Sequence, residues 1–492
     1  MGYIFILILL FLFSWIVYKN FLKINISKKD LLTAWGIKIL AAVFFMTLSI
    51  EYFSDDDLPD GDVSNFYYDG KLISDFGKND PLGYLQLMFT NKANDINFVE
   101  EKIPKTNLWS SGENGEFIND NRLIIRINSL IHFISGGNIW VHVLFFAFFS
   151  FIGSLLIYNS FEKYIQSKKL FFYSIFLTPS FAFWGSGLTK EALFVLSIGI
   201  YFSLLNKILN KEFNWKHLFL LVCCLYFLIF NKTHLGLIIV PLSTIFILRN
   251  RIKFNWKTGF AFTALTLAAF VISTLTPSKI NPVDRITQKQ QDMINLAKGG
   301  VFFINDSAFC AFDYQYLNHF EYNKPKGLIT ATKEAEGEYK LFGQKEFHPF
   351  TIEPSNEAYA VYLVTAPSNS YVDVPPINGS GLNLLKNTPL AFLNVLIRPF
   401  PSDGGNEFKY IAFVENILFV FFIGWLLWSR KKINNEEKYW IYFLFLSAII
   451  LILIIGWTIP VLGAVVRYKM APQILIIIAT FIWHQPKQKQ IS

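Results

Sequence analysis

Long runs of apolar residues alternate with polar segments along the whole chain. Many of these runs approach the roughly 20 helical residues that cross a hydrocarbon core of about 30 Å. The apolar blocks lie near 2–18, 31–50, 139–158, 170–184, 191–206, 217–230, 235–248, 258–275, 410–428, 439–458 and 468–484. No basic residues precede the first block and no small-residue cleavage site follows it, so it is interpreted as a span. The pattern predicts an all-α fold, a polytopic transmembrane helical bundle of about 11 spans.

The polar segments fall into two electrostatic classes, which predict an orientation. Basic residues with few acids occupy 19–30, 159–169, 207–216, 249–257, 429–438 and the tail from His484. Segment 51–138 instead holds fifteen Asp or Glu against seven Lys or Arg. Because basic loops stay in the cytoplasm, the amino terminus and the acidic segment are predicted to lie outside. The net charge of +8 then reflects topology, and no nucleic-acid partner is indicated.

The same boundaries divide the chain into five predicted regions. They are two amino-terminal spans (1–50), an acidic outer loop with an interfacial helix (51–138), a transmembrane core (139–275), an outer-loop subdomain (276–409) and carboxy-terminal spans with a short cytoplasmic tail (410–492). Segment 122–134 has an amphipathic pattern typical of interfacial helices. Helices are also predicted at 283–298 and 382–397. The polar, aromatic-rich stretch up to about residue 376 predicts a small outer subdomain of α+β or irregular structure.

Several classes of function have no support in the sequence. It contains no P-loop, no His-Glu-x-x-His motif and no dinucleotide-type glycine motif, which argues against an ATP-driven pump and a metalloprotease. The three cysteines, at 223, 224 and 310, favour neither a disulfide framework nor a cysteine-based metal site. Asp clusters are typical of divalent-cation sites, yet no spacing here fixes metal ligands. No cofactor is therefore assigned, and a divalent cation stays open as a candidate.

Four cations on the predicted outer side are candidates for binding an anion. Lys190 follows a glycine-rich turn and lies in the first turn of a predicted helix, where a cation opposes the helix dipole unless an anion is near. The alternative without a ligand is that Lys190 contacts lipid headgroups or pairs with Glu191. Arg467 and Lys469 enter the last span from its outer end, and Arg398 precedes a proline near the membrane. These residue types suit a phosphate group.

The outer acids supply candidates for a general base. The run Asp55–Asp57 is typical of a solvated loop. Asp62 is followed by Val63 and by aromatic residues, which indicates an ordered segment, and Asp69 closes that segment. Inverting sugar transfer needs a carboxylate that accepts the proton of the acceptor hydroxyl, together with cations that stabilise the departing phosphate. Outer acids and outer cations provide both.

The arrangement resembles the GT-C superfamily of polytopic glycosyltransferases. The segments that resemble bacterial membrane proteins of surface polysaccharide synthesis are Phe183–Glu191, Leu396–Phe400, Val414–Asn416 and Gly463–Lys469. The resemblance implies a polyprenyl-phosphate-type sugar donor, a glycan or lipid acceptor and an active site facing the periplasm from the bacterial inner membrane. It places the catalytic acid at Asp62, with Asp69 next, and the phosphate-binding cations at Lys190, Arg398 and Arg467. Lys469 is a further phosphate-binding candidate because of its place at the outer end of the last span. Two departures are an extra amino-terminal span and the lack of an adjacent Asp-Glu pair.

Three other functions stay open from the sequence. An O-antigen-type polymerase or ligase would place its key residues in segment 276–409, including Arg398. A flippase or transporter for a lipid-linked sugar would need polar residues midway through spans, of which His142 is the main example. A structural membrane scaffold is the fourth interpretation.

Overall fold

The fold is described from a computed structural model of the chain. It describes residues 2–20, 22–51, 61–90, 106, 108–109, 119–276, 281–306, 308–323, 327–341 and 347–485. The acidic run Asp55–Asp57 lies outside these residues. The described part consists mainly of α-helices, as the apolar pattern predicts, together with one small β-sheet.

The helices are numbered here in chain order. The first nine are α1 (Gly2–Tyr18), α2 (Lys28–Glu51), α3 (Asp62–Asn79), α4 (Pro81–Phe89), α5 (Arg122–Ser135), α6 (Ile139–Phe161), α7 (Lys168–Leu177), α8 (Pro179–Trp184) and α9 (Lys190–Leu209). The others are α10 (Trp215–Asn231), α11 (Thr233–Leu242), α12 (Trp256–Ser273), α13 (Pro282–Lys298), α14 (Gly381–Leu396), α15 (Phe408–Trp428), α16 (Asn435–Thr458), α17 (Leu462–Tyr468) and α18 (Met470–Trp483). The helices predicted at 283–298 and 382–397 are thereby confirmed.

Seven helical segments among the described residues are long and apolar enough to cross a membrane. They are Lys28–Glu51, Ile139–Tyr164, Lys190–Leu209, Trp256–Ser273, Phe408–Trp428, Asn435–Thr458 and Leu462–Trp483, with shorter apolar helices at Tyr3–Tyr18, Trp215–Asn231 and Thr233–Leu248. These segments indicate an integral membrane protein. The expectation of about eleven spans exceeds the number that meets the length requirement. One reason is block 170–184, which is divided between α7 and α8 because Pro179 cannot continue the preceding helix.

The centre of the bundle is a close pair of helices, α6 and α9. A Cβ atom on Gly153 would lie 2.3 Å from the carbonyl oxygen of Val195, and one on Gly199 would lie 2.4 Å from the carbonyl oxygen of Gly153. The two backbones can approach this closely only because both positions lack a side chain. Buried phenylalanines such as Phe146 and Phe151 fill the surrounding core.

Helix α5 is amphipathic, but its polar face is turned into the protein. Arg122 and Arg126 are buried, and the Arg126 guanidinium donates to the carbonyl oxygens of Leu87 (2.9 Å) and Thr90 (2.8 Å). The residues left exposed include Leu130, which is 53% exposed. An apolar exposed face suits contact with lipid, as the amphipathic pattern of an interfacial helix predicts, but the arginines of the other face are buried in the protein.

The segment predicted as a small outer subdomain contains a seven-stranded antiparallel sheet. Its strands are β1 (Gly300–Asn305), β2 (Ala308–Asp313), β3 (Phe320–Asn323), β4 (Leu328–Ala331), β5 (Ala335–Leu341), β6 (His348–Ile352) and β7 (Ala358–Thr365), in the order β3-β4-β7-β1-β2-β5-β6. Alternate residues such as Phe303 and Phe312 point into one small core of their own, as the two-residue period of a strand requires.

Helix α13 ties this sheet to one end of the bundle. The Gln290 side chain donates to the carbonyl oxygens of Trp457 (2.7 Å) and Pro375 (3.1 Å), and the Val372 N–H donates to Pro460 (2.7 Å). Trp457 lies at the last turn of α16. We call this the sheet end of the bundle. Several of the predicted site residues lie at this end, as described next.

Candidate functional site

Four charged side chains form one ion-pair network at the sheet end of the bundle. The Arg467 guanidinium bridges two carboxylates: its Nη1 lies 2.8 Å from Asp62 Oδ2, and its Nε lies 2.8 Å from Glu191 Oε1. The Lys232 ammonium lies 2.7 Å from the same Glu191 oxygen. Asp62 and Arg467 are 405 positions apart. We call Asp62, Glu191, Lys232 and Arg467 the Arg467 network.

Local helix geometry explains why the acids converge here. Asp62 is the first residue of α3 and Glu191 is the second residue of α9. A carboxylate in a first helical turn is stabilised by the positive end of the helix dipole. Arg467 lies in the last turn of α17, the helix end that favours a cation, whereas Lys232 both follows α10 and immediately precedes α11. The helix ends therefore favour the charges of Asp62, Glu191 and Arg467, and the Lys232 charge is compensated by its ion pair with Glu191.

Burial differs sharply across the network. The Glu191 side chain is fully buried, and those of Lys232 and Arg467 are 7% and 16% exposed. Asp62 is half exposed. Because two cations compensate Glu191, that acid is a buried structural counterion, whereas Asp62 offers a carboxylate to groups arriving from solution.

Aromatic rings enclose the cations. The Lys232 ammonium lies 4.3 Å from the centroid of the Tyr468 ring, and the Arg467 guanidinium lies 5.8 Å from that of Trp184. These distances suit cation–π attraction. The rings limit the directions from which a ligand can reach the two cations.

Lys190 forms a second ion pair beside this network. Its ammonium donates to the Asp120 carboxylate, and the Asn231 side chain donates to the Lys190 carbonyl oxygen at 2.8 Å. Burial alone would raise the pKa of Asp120, but the charge and hydrogen bond of Lys190, together with the charges of Lys289 and His234, hold that pKa below its usual value. The sequence alternative that Lys190 pairs with Glu191 is replaced by this contact.

Arg398 and Lys469 lie in a different cluster. The Arg398 Nε lies 3.6 Å from Asp403 Oδ2 and its Nη1 donates to Asn394 at 3.2 Å. Asn416 donates to the Arg398 carbonyl oxygen at 2.7 Å and accepts from the Lys469 ammonium. Lys469 is buried. Arg467 and Lys469 are two positions apart, so the two clusters are neighbours along α17 and α18.

Asp69 has a different environment from Asp62. Its side chain is fully buried, and its Oδ2 accepts the backbone N–H groups of Leu108 (2.8 Å) and Trp109 (2.9 Å). A carboxylate held in this way fixes the conformation of the chain around Leu108 and Trp109.

The Arg467 network and the adjacent Lys190–Asp120 pair together are called the charged region. Sequence reasoning did not identify three of its residues as site residues: Glu191, Lys232 and Asp120. Glu191 was considered only as a partner for Lys190. Lys232 lies in a short polar segment between two apolar blocks, and a lysine there was a signal that sequence inspection could have used. Asp120 had no local signal, because its partner is 70 positions away.

Among the described residues, His142 has a structural environment, and neither a metal site nor a disulfide is found. His142 Nδ1 pairs with Asn128 at 2.8 Å and its Nε2 with Ser135 at 3.0 Å, so both ring nitrogens are satisfied. The part of the chain that the structure describes contains no group of three His, Cys, Asp or Glu residues that could hold a metal ion. Cys223, Cys224 and Cys310 are free thiols.

Comparison of the chain with protein-family models, curated proteins and solved structures finds no match.

Proposed function

We propose that this chain is a membrane glycosyltransferase of GT-C type. It would move a sugar from a polyprenyl-phosphate-type donor to a glycan or lipid acceptor. The proposal includes about eleven spans in a bacterial inner membrane, with the sheet end of the bundle facing the periplasm. The distribution of basic segments supports this orientation.

One observation carries the proposal: a half-exposed carboxylate, Asp62, is held 2.8 Å from a nearly buried guanidinium, Arg467. General-base catalysis needs an accessible carboxylate, and a phosphate leaving group needs a cation. Lys190 lies beside the pair, and its ammonium is 5.9 Å from the ring of Phe66, one helical turn after Asp62. Both kinds of group therefore occur within one charged region.

The chemical step assigns each group a role. The acceptor hydroxyl oxygen forms a bond to the anomeric carbon while its proton passes to Asp62. The bond between that carbon and the phosphate oxygen breaks, and its electron pair stays on the phosphate. Arg467 and Lys190 would stabilise this charge, with Arg398 and Lys469 in the neighbouring cluster as further candidates. The positive side chains bind the leaving group more strongly as it separates.

The geometry favours Asp62 over Asp69 as the base. Asp69 is buried and holds backbone N–H groups, so an acceptor hydroxyl would have to displace part of the protein. Asp62 needs only to lose its ion pair with Arg467, which would occur when the donor phosphate binds Arg467 in its place. This exchange would free the carboxylate when the donor is bound.

The test is sugar incorporation by membranes containing an Asp62→Asn variant. Loss of the base is expected to lower the rate by about 10²–10⁴-fold. Asp75→Asn is the matched control, because Asp75 is also on α3 and is half exposed, with only a local contact to Lys78. Wild-type incorporation by the Asp62 variant at equal protein level would rule out the assigned base.

The polymerase or ligase alternative makes a different prediction. It places the key residues in segment 276–409, so Arg398→Gln would abolish chain extension while Asp62→Asn would leave it nearly intact. Measuring both variants for single-sugar transfer and for polymer length separates the two enzymes.

One observation favours the transporter alternative as a second candidate. The sequence interpretation found polar residues within spans to be scarce, yet Lys38, Glu415 and Lys469 are all buried in such segments. Buried ionisable groups at that depth commonly bind or move a charged ligand. A flippase would translocate a fluorescent lipid-linked sugar across vesicles without consuming it, whereas a transferase would convert it.

A further inference from the structure

Lys38 is a buried lysine without a hydrogen-bond partner among the described residues. It is the eleventh of the 24 residues of α2, and at 1.5 Å per residue this places it about 15 Å from the start of the helix. Its side chain is only 1% exposed, and its ammonium finds no acceptor in the part of the chain that the structure describes. A charged group this deep in a membrane segment is unfavourable unless it has a partner.

The surroundings of the ammonium are defined by two helices. It lies 5.3 Å from the centroid of the Phe181 ring on α8. A Cβ atom placed on Gly185 would be 3.5 Å from the Lys38 Nζ and 3.6 Å from the Met470 Sδ. Lys38 therefore faces the junction of α8 with the start of α18, and Met470 directly follows the buried cation Lys469.

The apolar segment that contains α8 is discontinuous. Helix α7 ends at Leu177 and α8 begins at Pro179, with Thr178 in an extended conformation between them. Discontinuous helices inside a membrane are tolerated where protein or a polar cavity satisfies the broken backbone, and they commonly form ligand sites. Such a break next to an unpartnered ammonium points to a ligand.

The charged side chains near the two ends of α8 differ in their hydrogen-bond partners. At its beginning, Glu415 accepts the Ser180 N–H (3.0 Å) and hydroxyl (2.6 Å), so this acid has partners. Near its other end, the Lys38 ammonium contacts the Phe181 ring and has no acceptor among the described residues. Glu415 is therefore occupied by Ser180, and the lysine charge is available to an outside anion.

We propose that Lys38 is an anion-binding residue inside the membrane segment, where it binds a phosphoryl group. A phosphate oxygen would supply the acceptor that the ammonium lacks, and a lysine binds phosphate as a point charge. The phosphoryl group could belong to a lipid phosphate or to free phosphate. This site goes beyond the proposed transfer reaction and does not depend on Asp62.

The experiment measures thermal unfolding of the purified full-length protein in a neutral detergent. The variants are Lys38→Met and Lys38→Arg, with Lys29→Met as the control because Lys29 is an exposed lysine of the same helix. The probes are farnesyl phosphate, farnesol and inorganic phosphate. Farnesol has the chain without the charge, and inorganic phosphate has the charge without the chain.

We expect farnesyl phosphate to raise the unfolding midpoint of the wild type and of Lys29→Met, while farnesol has little effect. Lys38→Met should unfold at a higher midpoint without ligand, because it removes an unpaired charge, and should bind farnesyl phosphate at least tenfold more weakly. Lys38→Arg should keep part of the response. A Lys38-dependent response to inorganic phosphate of equal size would support the site and identify the free ion as its ligand.

Three results would overturn the site. They are the absence of a phosphate-dependent shift in the wild type, an equal shift in Lys38→Met, and a lowered midpoint of Lys38→Met with full ligand response. The last would show that Lys38 only stabilises the end of α8. The shift is also measured in Arg467→Gln, which lacks the cation proposed to hold the donor phosphate. A shift that persists there and still requires Lys38 belongs to this site, whereas a shift that is lost in Arg467→Gln and kept in Lys38→Met belongs to the proposed transferase site.

Discussion

Glu191 is the residue on which the ion pairs of the charged region depend. Its carboxylate lies 2.8 Å from Arg467 and 2.7 Å from Lys232, and its side chain is fully buried. An acid in this position makes two cations tolerable at the ends of apolar helices. The sequence placed Glu191 beside Lys190, yet the side chains of the two neighbours serve different partners.

Replacing Glu191 with Gln is expected to destabilise the protein by about 3–5 kcal/mol, because the buried Lys232 loses its carboxylate and Arg467 loses one of two. Thermal unfolding in detergent measures the effect. Glu212→Gln is the control, since Glu212 is an exposed glutamate in the turn after α9. A midpoint equal to that of the control would mean that the ion pairs contribute little to stability.

His132 predicts a dependence of stability on pH. Burial lowers the pKa of His132 to about 4, although its ring hydrogen bond to the Tyr67 carbonyl oxygen works in the other direction. The folded state then binds fewer protons than the unfolded state between about pH 6.5 and pH 4. Stability from this residue is fully present above about pH 6.5 and is lost as the pH falls towards 4, by about 3 kcal/mol.

Unfolding midpoints measured between pH 7.5 and pH 4.5 check this slope. His132→Gln keeps a side chain of similar size that does not titrate, so its stability should fall less over the same range. An identical slope for both proteins would show that other groups cause the acid sensitivity.

At the scale of elements, the crossing of α6 and α9 sets a strict size limit. Gly199→Val places its Cβ 2.4 Å from the Gly153 carbonyl oxygen, so the helices must separate and the core around them must shift. We expect the folded yield and the unfolding midpoint to fall substantially, with overpacking costing about 1–3 kcal/mol or more.

Gly36→Ala is the matched control for this crossing. Gly36 is also a helical glycine, but an added Cβ there meets no atom within 4 Å. Replacing it with alanine should be neutral or slightly stabilising because alanine favours helix. Similar losses for both variants would indicate a general effect of helical glycine replacement and contradict close packing at Gly199.

The elements also show how far sequence reasoning reaches. Apolar length predicts most helices because it is a local feature, although the single block expected at 170–184 is divided at Pro179 into α7 and α8. The direction of the Arg126 side chain was not predictable, since its acceptors on Leu87 and Thr90 come from another helix and the turn that follows it. Asp62 and Arg467 are 405 positions apart in the sequence. No local sequence pattern predicts a contact between residues so far apart.

At the scale of the whole molecule, the charged network and the sheet lie at the same end of the bundle. Glu191 begins the α9 span, and α13 ties the sheet to the last turn of α16. The proposed reaction therefore requires the sheet to face the compartment that contains the acceptor. The orientation of the sheet in the membrane is thus a direct test of the proposal.

Cysteine labelling of intact spheroplasts can decide this orientation. In a variant whose three native cysteines are replaced, Lys333→Cys reports on the sheet and Lys253→Cys on the predicted cytoplasmic segment 249–257; both lysines are exposed. A membrane-impermeant maleimide should label position 333 directly and position 253 only after permeabilisation. Because the sheet and the Arg467 network share one end of the bundle, the reverse pattern would put Asp62 in the cytoplasm, where a periplasmic acceptor could not reach it.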